Sequence, residues 1–214
     1  MKKNTNSYQA DIRVASHPLV PESKKGKAII SGMIFLFLSV TMYKMTNMSI
    51  WFDEAVEYLV STMPFGKMIG AIQNTWQPPL YNFIMHFLLK ISVSEYWFHF
   101  ISVLFGVGGL LGLYAAVNEI CGWRIAAVSM FMYSFLFRIW YYNQECSEYA
   151  LVVALLFWMV FFFARLLRQF SIKRGIGFLL FAVLSIFSHY GATFAVVSTA
   201  VVLLVYYFIH PEFL

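Results

Sequence analysis

The chain is short of charge. Asp, Glu, Lys and Arg make up only 12% of its 214 residues. A water-soluble domain of this size needs far more to cover its surface, so that class is excluded. Cysteine is scarce too. Cys121 and Cys146 fall at opposite ends of one apolar segment, and two thiols so placed cannot pair if that segment spans a membrane. A disulfide framework is therefore not expected. No Cys/His run has metal-ligand spacing, and no glycine-rich loop is suited to cradling a phosphate. Internal repeats and low-complexity tracts are absent beyond the apolar bias. The net charge of +5 does not point to nucleic acid, because the basic residues are split among short connecting stretches. There they read as topology signals.

What is present is apolar. The sequence is 61% hydrophobic and 20% aromatic, with a mean hydropathy of +0.71. Long apolar runs recur along its whole length, which is the pattern of an integral membrane protein. The expected fold is all-α, a multi-pass membrane helical bundle of about six transmembrane helices with interfacial juxtamembrane helices in the first outer loop. Residues 1–27 are polar and basic. They are no cleavable signal peptide and read as a cytoplasmic tail before an uncleaved anchor. The transmembrane domain covers 28–209, with expected spans at 28–43, 96–117, 125–140, 149–164, 175–187 and 192–209. Residues 210–214 read as a truncated end.

The outer loop, 48–95, carries most of the polar detail. Ala55, Tyr58, Leu59 and Met63 share one helical face, and Phe65, Met68, Ile69, Ile72 and Trp76 another, with a break at Pro64. Both patterns predict helices lying in the membrane interface. Pro78 and Pro79 preset the start of a further helix, Leu80 to Ser92. Asn82, His86 and Lys90 form a polar stripe along it, read as its wet face. Gly108 and Gly112 mark a close-packing face on the second span. Arg138 is placed to snorkel near the end of the third. Eleven of the fifteen basic residues fall on the side of the tail, which obeys the positive-inside rule and puts the N-terminus in the cytoplasm. Asp53, Glu54, Glu57, Glu95, Glu145 and Glu148 all fall on the opposite face. The rule says little about acids, so their gathering calls for a separate cause.

Three outer stretches converge if the helices bundle: Asp53–Glu54, Gln144–Glu145 and His189–Tyr190. Each sits at a helix mouth, where a charge avoids the roughly 2.5–3.5 kcal/mol cost of the bilayer centre. A carboxylate there can take a proton from a hydroxyl or hold a divalent metal through oxygen. Arg138, Lys90, His99 and His189 are cations suited to a phosphate. Plainer roles stand beside these: Asp53 as a helix N-cap, Glu145 as a solvated loop acid, His189 as an interfacial histidine, and Pro78–Pro79 as a turn device.

Taken in order, WFDEAVEYLV, QPPLYNFIMHFLLKI, FHFISVLFGVGGLLGLYAAV, YYNQECSEYALVVALL and SHYG resemble the N-terminal half of the GT-C glycosyltransferases. The similarity covers roughly residues 30–210. The branch is that of the protein O-mannosyltransferases and lipid A aminoarabinose transferases. The resemblance implies an enzyme of the cell envelope that takes a sugar from a polyprenyl-phosphate donor. The acceptor is a hydroxyl on a glycan, lipid or protein at the outer face of the cell membrane. It implies Asp53 as general base, Glu54 and Glu145 orienting acceptor or metal, and Asp53 and Glu145 as candidate ligands of a divalent cation. Gln77, Pro78, Tyr81, His99, Arg138, Gln144, Glu145, Tyr149, His189 and Tyr190 are then the acceptor- and donor-binding candidates. The chain departs from the family pattern in four places. Gln77 stands for a histidine, His99 and Ser147 for arginines, and Glu148 for a frequent proline. Two lost arginines weaken the phosphate grip, for which His99 or Arg138 is the substitute. The alternatives are a truncated, non-catalytic relative that binds a lipid-linked sugar, and a small-molecule or lipid transporter.

Overall fold

The computed structural model describes residues 18–43, 45, 50–75 and 77–211. The tail through residue 17, Lys44, residues 46–49, Trp76 and the last three positions lie outside the described residues, with the expectations placed on them. Among the described residues every regular element is a helix: α1 (Lys24–Met42), α2 (Phe52–Thr62), α3 (Phe65–Thr75), α4 (Leu80–Leu88), α5 (Glu95–Cys121), α6 (Trp123–Phe135), α7 (Phe137–Gln144), α8 (Tyr149–Arg168), α9 (Ile172–Ser188) and α10 (Ala192–Ile209). Four of them, α1, α5, α8 and α10, are each long and apolar enough to cross a membrane. The α6–α7 pair qualifies as a fifth if its two halves count together. The chain is a helical membrane protein.

α5 is the axis. At 27 residues it is about 40 Å long, so it reaches both ends of the bundle. Ser94 caps it, its side chain accepting from the Trp97 N–H at 3.2 Å. α5 packs most closely on α8 through small residues. A Cβ added at Gly112 would lie 3.0 Å from Phe157 Cβ on α8, and one at Gly109 would lie 3.6 Å from Ala154 Cα on α8 and 3.1 Å from the Tyr133 hydroxyl on α6. At Gly108 the nearest atom is an ordinary 3.8 Å away. The expected Gly108/Gly112 face does lie against α8, with Trp158 Nε1 donating to the Gly108 carbonyl at 3.1 Å, and Gly109 joins it. Without a hydrophobic drive between helices in lipid, such close approach is what holds spans together.

One end of the bundle is basic and closed by ion pairs. Buried Glu119, near the end of α5, meets Arg165 at 3.8 Å and Arg168 at 3.4 Å on α8. Arg174 then donates to the Gln169 carbonyl at 2.7 Å and the Arg165 carbonyl at 3.2 Å, covering acceptors that the end of α8 leaves open.

Two sequence expectations are corrected here. The expected third span, 125–140, is broken at Leu136, and α6 and α7 meet at a 68° bend. No proline causes it. The bend lays α7 across the C-terminal end of α1, whose last carbonyls have no helical partner. Trp140 Nε1 donates to the Val40 carbonyl at 3.1 Å, and Gln144 Nε2 to the carbonyls of Thr41 and Tyr43 at 2.6 and 3.0 Å. The second correction concerns the polar stripe on α4. Asn82 and His86 are buried, not wet. Asn82 Nδ2 donates to Glu57 Oε2 at 2.5 Å and to Ser61 Oγ at 3.2 Å, and His86 Nδ1 donates to the Ser61 carbonyl at 2.9 Å. The stripe is the seam that fastens α4 to α2. Lys90 lies beyond the end of α4, its ammonium over the Phe87 ring.

α2 and α3 have 11 residues each, about 16 Å, half of what a crossing needs. With α4 they cap the end of the bundle opposite the Glu119 pairs.

The α5–α8 seam gives a direct test. Gly112→Leu should cost about 1–3 kcal/mol through overpacking, read as a lower unfolding midpoint in detergent. Gly32→Leu, where an added Cβ meets nothing within 4 Å, should leave the midpoint unchanged.

Candidate functional site

The acid-bearing end is built by three chain segments. α2 begins with "FDEAVE", which sets Asp53, Glu54 and Glu57 within one turn and a half. The corner between α7 and α8, "ECSE", brings Glu145, Cys146, Ser147 and Glu148. The end of α9 brings His189. The structure thus unites the three stretches that the sequence set at the same face.

Glu54 is the strut between two of them. It is 2% exposed. Its Oε2 accepts from the Trp51 N–H at 2.8 Å, closing the first turn of α2, and its Oε1 accepts from the Cys146 N–H at 2.7 Å. Charge-assisted bonds of this kind are among the stronger ones. The capping role weighed for Asp53 therefore belongs to Glu54, with Trp51 in the N-cap position. Asp53, freed from it, is exposed.

Around Asp53 lie three carboxyls whose charges feel each other. Burial is the largest cause that raises Glu57 to about 7, with repulsion from Glu148 and Asp53 adding to it and bonds from Asn82 and Gln77 opposing it. Glu145 is also raised to about 7, by burial first and then by Glu54, Glu148 and Asp53. Glu148 is raised by burial, while its backbone bond and His189 draw it down. His189 is the basic group that acts on Glu148. Its Nδ1 accepts from the Gly191 N–H at 3.0 Å, and its ring lies 5.8 Å from that of Tyr149, which in turn packs on Tyr142 at 4.8 Å.

A second layer lies beneath the acids. Tyr81 is 1% exposed, and its hydroxyl sits beside Ser102 with no completed hydrogen bond on either. Burial raises the Tyr81 phenol, helped by Cys146, Glu57 and Glu148. His99 Nδ1 donates to the Gln144 carbonyl at 2.5 Å and lies 3.0 Å from Cys146 Sγ. Gln144 is thus a brace, tying α1 to α7 by its side chain and α7 to α5 by its backbone. Pro78 is buried where the chain enters α4.

Most of the residues named from the sequence are drawn into this region: Asp53, Glu54, Gln77, Tyr81, His99, Gln144, Glu145, Tyr149 and His189. Two are not. Arg138 is exposed on α7 and is not among the charges that act on the cluster's carboxyls. Tyr190 is 57% exposed and makes no ring contact with the cluster among the described residues. Glu57, Glu148 and Cys146 were missed as site residues. Glu57 had a signal, since it stands one turn after Asp53 and opposite the Asn82 stripe. Cys146 had none, because its partners come from α2 and α5.

No protein family, curated protein or solved structure matches the chain.

The pH dependence follows from the raised carboxyls. Their native forms hold protons that the unfolded chain releases above the ordinary 4.5. Stability should therefore fall as pH rises from 4.5 to about 7 and level off beyond. Unfolding midpoints across that range should show the slope, and the Glu57→Gln/Glu145→Gln double variant should flatten it. An undiminished slope in that variant would assign the protons elsewhere.

Proposed function

We propose that the chain is a GT-C type glycosyltransferase that moves a sugar from a polyprenyl-phosphate donor to an acceptor hydroxyl at the membrane face. The observation that carries this reading is the gathering of exposed Asp53 with Glu57, Glu145 and Glu148 at one end of an apolar helical bundle. In this reading Asp53 takes the proton from the acceptor hydroxyl. The freed oxygen attacks the anomeric carbon from the face opposite the donor phosphate. The configuration inverts and the lipid phosphate leaves with the electrons of the broken bond.

The surroundings suit such a step. Glu57 and Glu145, both raised to about 7, can hold or release a proton near neutrality beside the reacting groups. Glu145 Oε2 has no hydrogen-bond partner, and with Asp53 it would hold a divalent cation through oxygen. Gln77, Tyr81, Tyr149 and His189 would line the sugar and acceptor positions. A groove of about 450 Å³, apolar in its lining and including Val40, Tyr43, Phe135, Phe137 and Trp140, opens at the α6–α7 bend. It offers a prenyl tail a place near Gln144, which holds the Tyr43 carbonyl.

The same reading sets the topology. The bent α6–α7 pair and the 17-residue α9 would join the four long helices to make six crossings. The end with Arg165, Arg168 and Arg174 and the N-terminus would face the cytoplasm, in the cell membrane. A second reading, a non-catalytic relative that binds a lipid-linked sugar, is favoured by one observation: Arg138 stands apart from the cluster, leaving His189 to meet a phosphate.

Transfer assays in membranes, with a panel of polyprenyl-phosphate sugars, separate the two. Asp53→Asn should abolish transfer while leaving membrane insertion intact. Turnover retained in that variant would remove Asp53 as base. Donor binding without transfer in the unaltered protein would establish the second reading.

A further inference from the structure

Glu54, His99 and Cys146 come from three different elements: the first turn of α2, the second turn of α5 and the α7–α8 corner. They are 2%, 1% and 0% exposed. One carboxylate oxygen, one imidazole nitrogen and the Cys146 sulfur all lie within 4.8 Å of one another. Among the described residues this is the one group of three such donors that close together. Donors around a zinc ion, at about 2.0–2.3 Å from the metal, sit roughly 3–4 Å apart. The three side chains therefore need to move by only about 1 Å to enclose one.

We propose that Glu54, His99 and Cys146 form a binding site for a borderline-soft divalent cation of the zinc type, distinct from the oxygen donors of Asp53 and Glu145. Nitrogen and sulfur donors are what separate such an ion from magnesium or calcium.

The neighbours are arranged as a metal site requires. His99 presents Nδ1 toward Cys146 Sγ, 3.0 Å away. Its Nε2 lies 3.9 Å from Glu95 Oε1 and has no hydrogen bond of its own. A carboxylate behind the second ring nitrogen is the usual support of a metal-bound histidine. Glu54 is fixed by two backbone N–H groups, and a carboxylate with two such bonds still has lone pairs for a cation. For Nδ1 to bind the cation its proton moves to Nε2, facing Glu95, and the Gln144 carbonyl 2.5 Å from Nδ1 is freed to serve as a fourth ligand. Without a cation, burial and the charges of Glu54, Glu95 and Glu145 keep Cys146 a thiol. Binding exchanges that thiol proton for the metal, and the proton goes to solvent. The ion would tie α2, α5 and the α7–α8 corner together directly beneath the acid cluster.

The test uses the full chain in detergent, carrying Cys121→Ser so that Cys146 is its sole thiol. Cobalt(II) is the probe. The expected result is one cobalt per chain with a thiolate-to-cobalt charge-transfer band in the near ultraviolet, displaced by added zinc. His99→Gln in the same background should weaken cobalt binding at least about tenfold. Absence of the charge-transfer band overturns the site, even if cobalt binds, because binding without it means that Cys146 is not a ligand. A band untouched by His99→Gln overturns it too. The readout needs no turnover, so it stands or falls apart from the proposed sugar transfer.

Discussion

The carboxylate of Glu54 is the constraint on which the acid-bearing end depends. It is buried, and a buried charge without partners is costly. Its partners are two backbone N–H groups, of Trp51 and of Cys146, 92 residues further along the chain. One bond starts α2. The other fixes the corner after α7, and with that corner come Gln144 on the open end of α1, Glu145 and Glu148 around Asp53, and Cys146 beside His99. Lose the carboxylate and the corner has no reason to sit where the site needs it.

The two ends of the bundle handle acids in opposite ways. At the basic end Glu119 is buried with two arginines, and its charge is compensated on the spot. At the other end Glu57, Glu145 and Glu148 share space with Asp53 and with each other, and His189 offsets the charge of Glu148 alone. Like charges so close cannot all ionise without cost, and burial adds to it, which is why two of them take up protons near neutrality. A local arrangement that works against stability is expected where a protein does chemistry or holds a ligand, and rarely elsewhere.

The sequence made much of this visible, for definable reasons. α10 lies where its apolar run places it, at 192–209, because its length and composition suffice without help from neighbours. The convergence of Asp53, Glu145 and His189 was visible in their common side. What could not be read was decided by contacts distant in sequence. The bend at Leu136 exists to cover the open carbonyls of α1, and no local pattern in 125–140 shows that need. Asn82 and His86 look like a wetted face at helical spacing, yet a second short helix carrying Glu57 and Ser61 turns the same spacing into a buried seam. Glu54 and Asp53 are adjacent acids that read alike. Only the position of the Cys146 N–H makes one a strut and leaves the other free.

That division between neighbouring acids is what gives the site its chemical range. Burial raises Glu57 and Glu145 to about 7, while Asp53 faces solvent. One residue along the chain, the side chain of Glu54 points its charge inward to backbone donors and to the His99–Cys146 pair. A single helical turn thus presents one carboxyl outward and a rigid anchor inward. Asp53 can be replaced without removing either backbone bond at this end of the bundle, whereas loss of Glu54 would remove both.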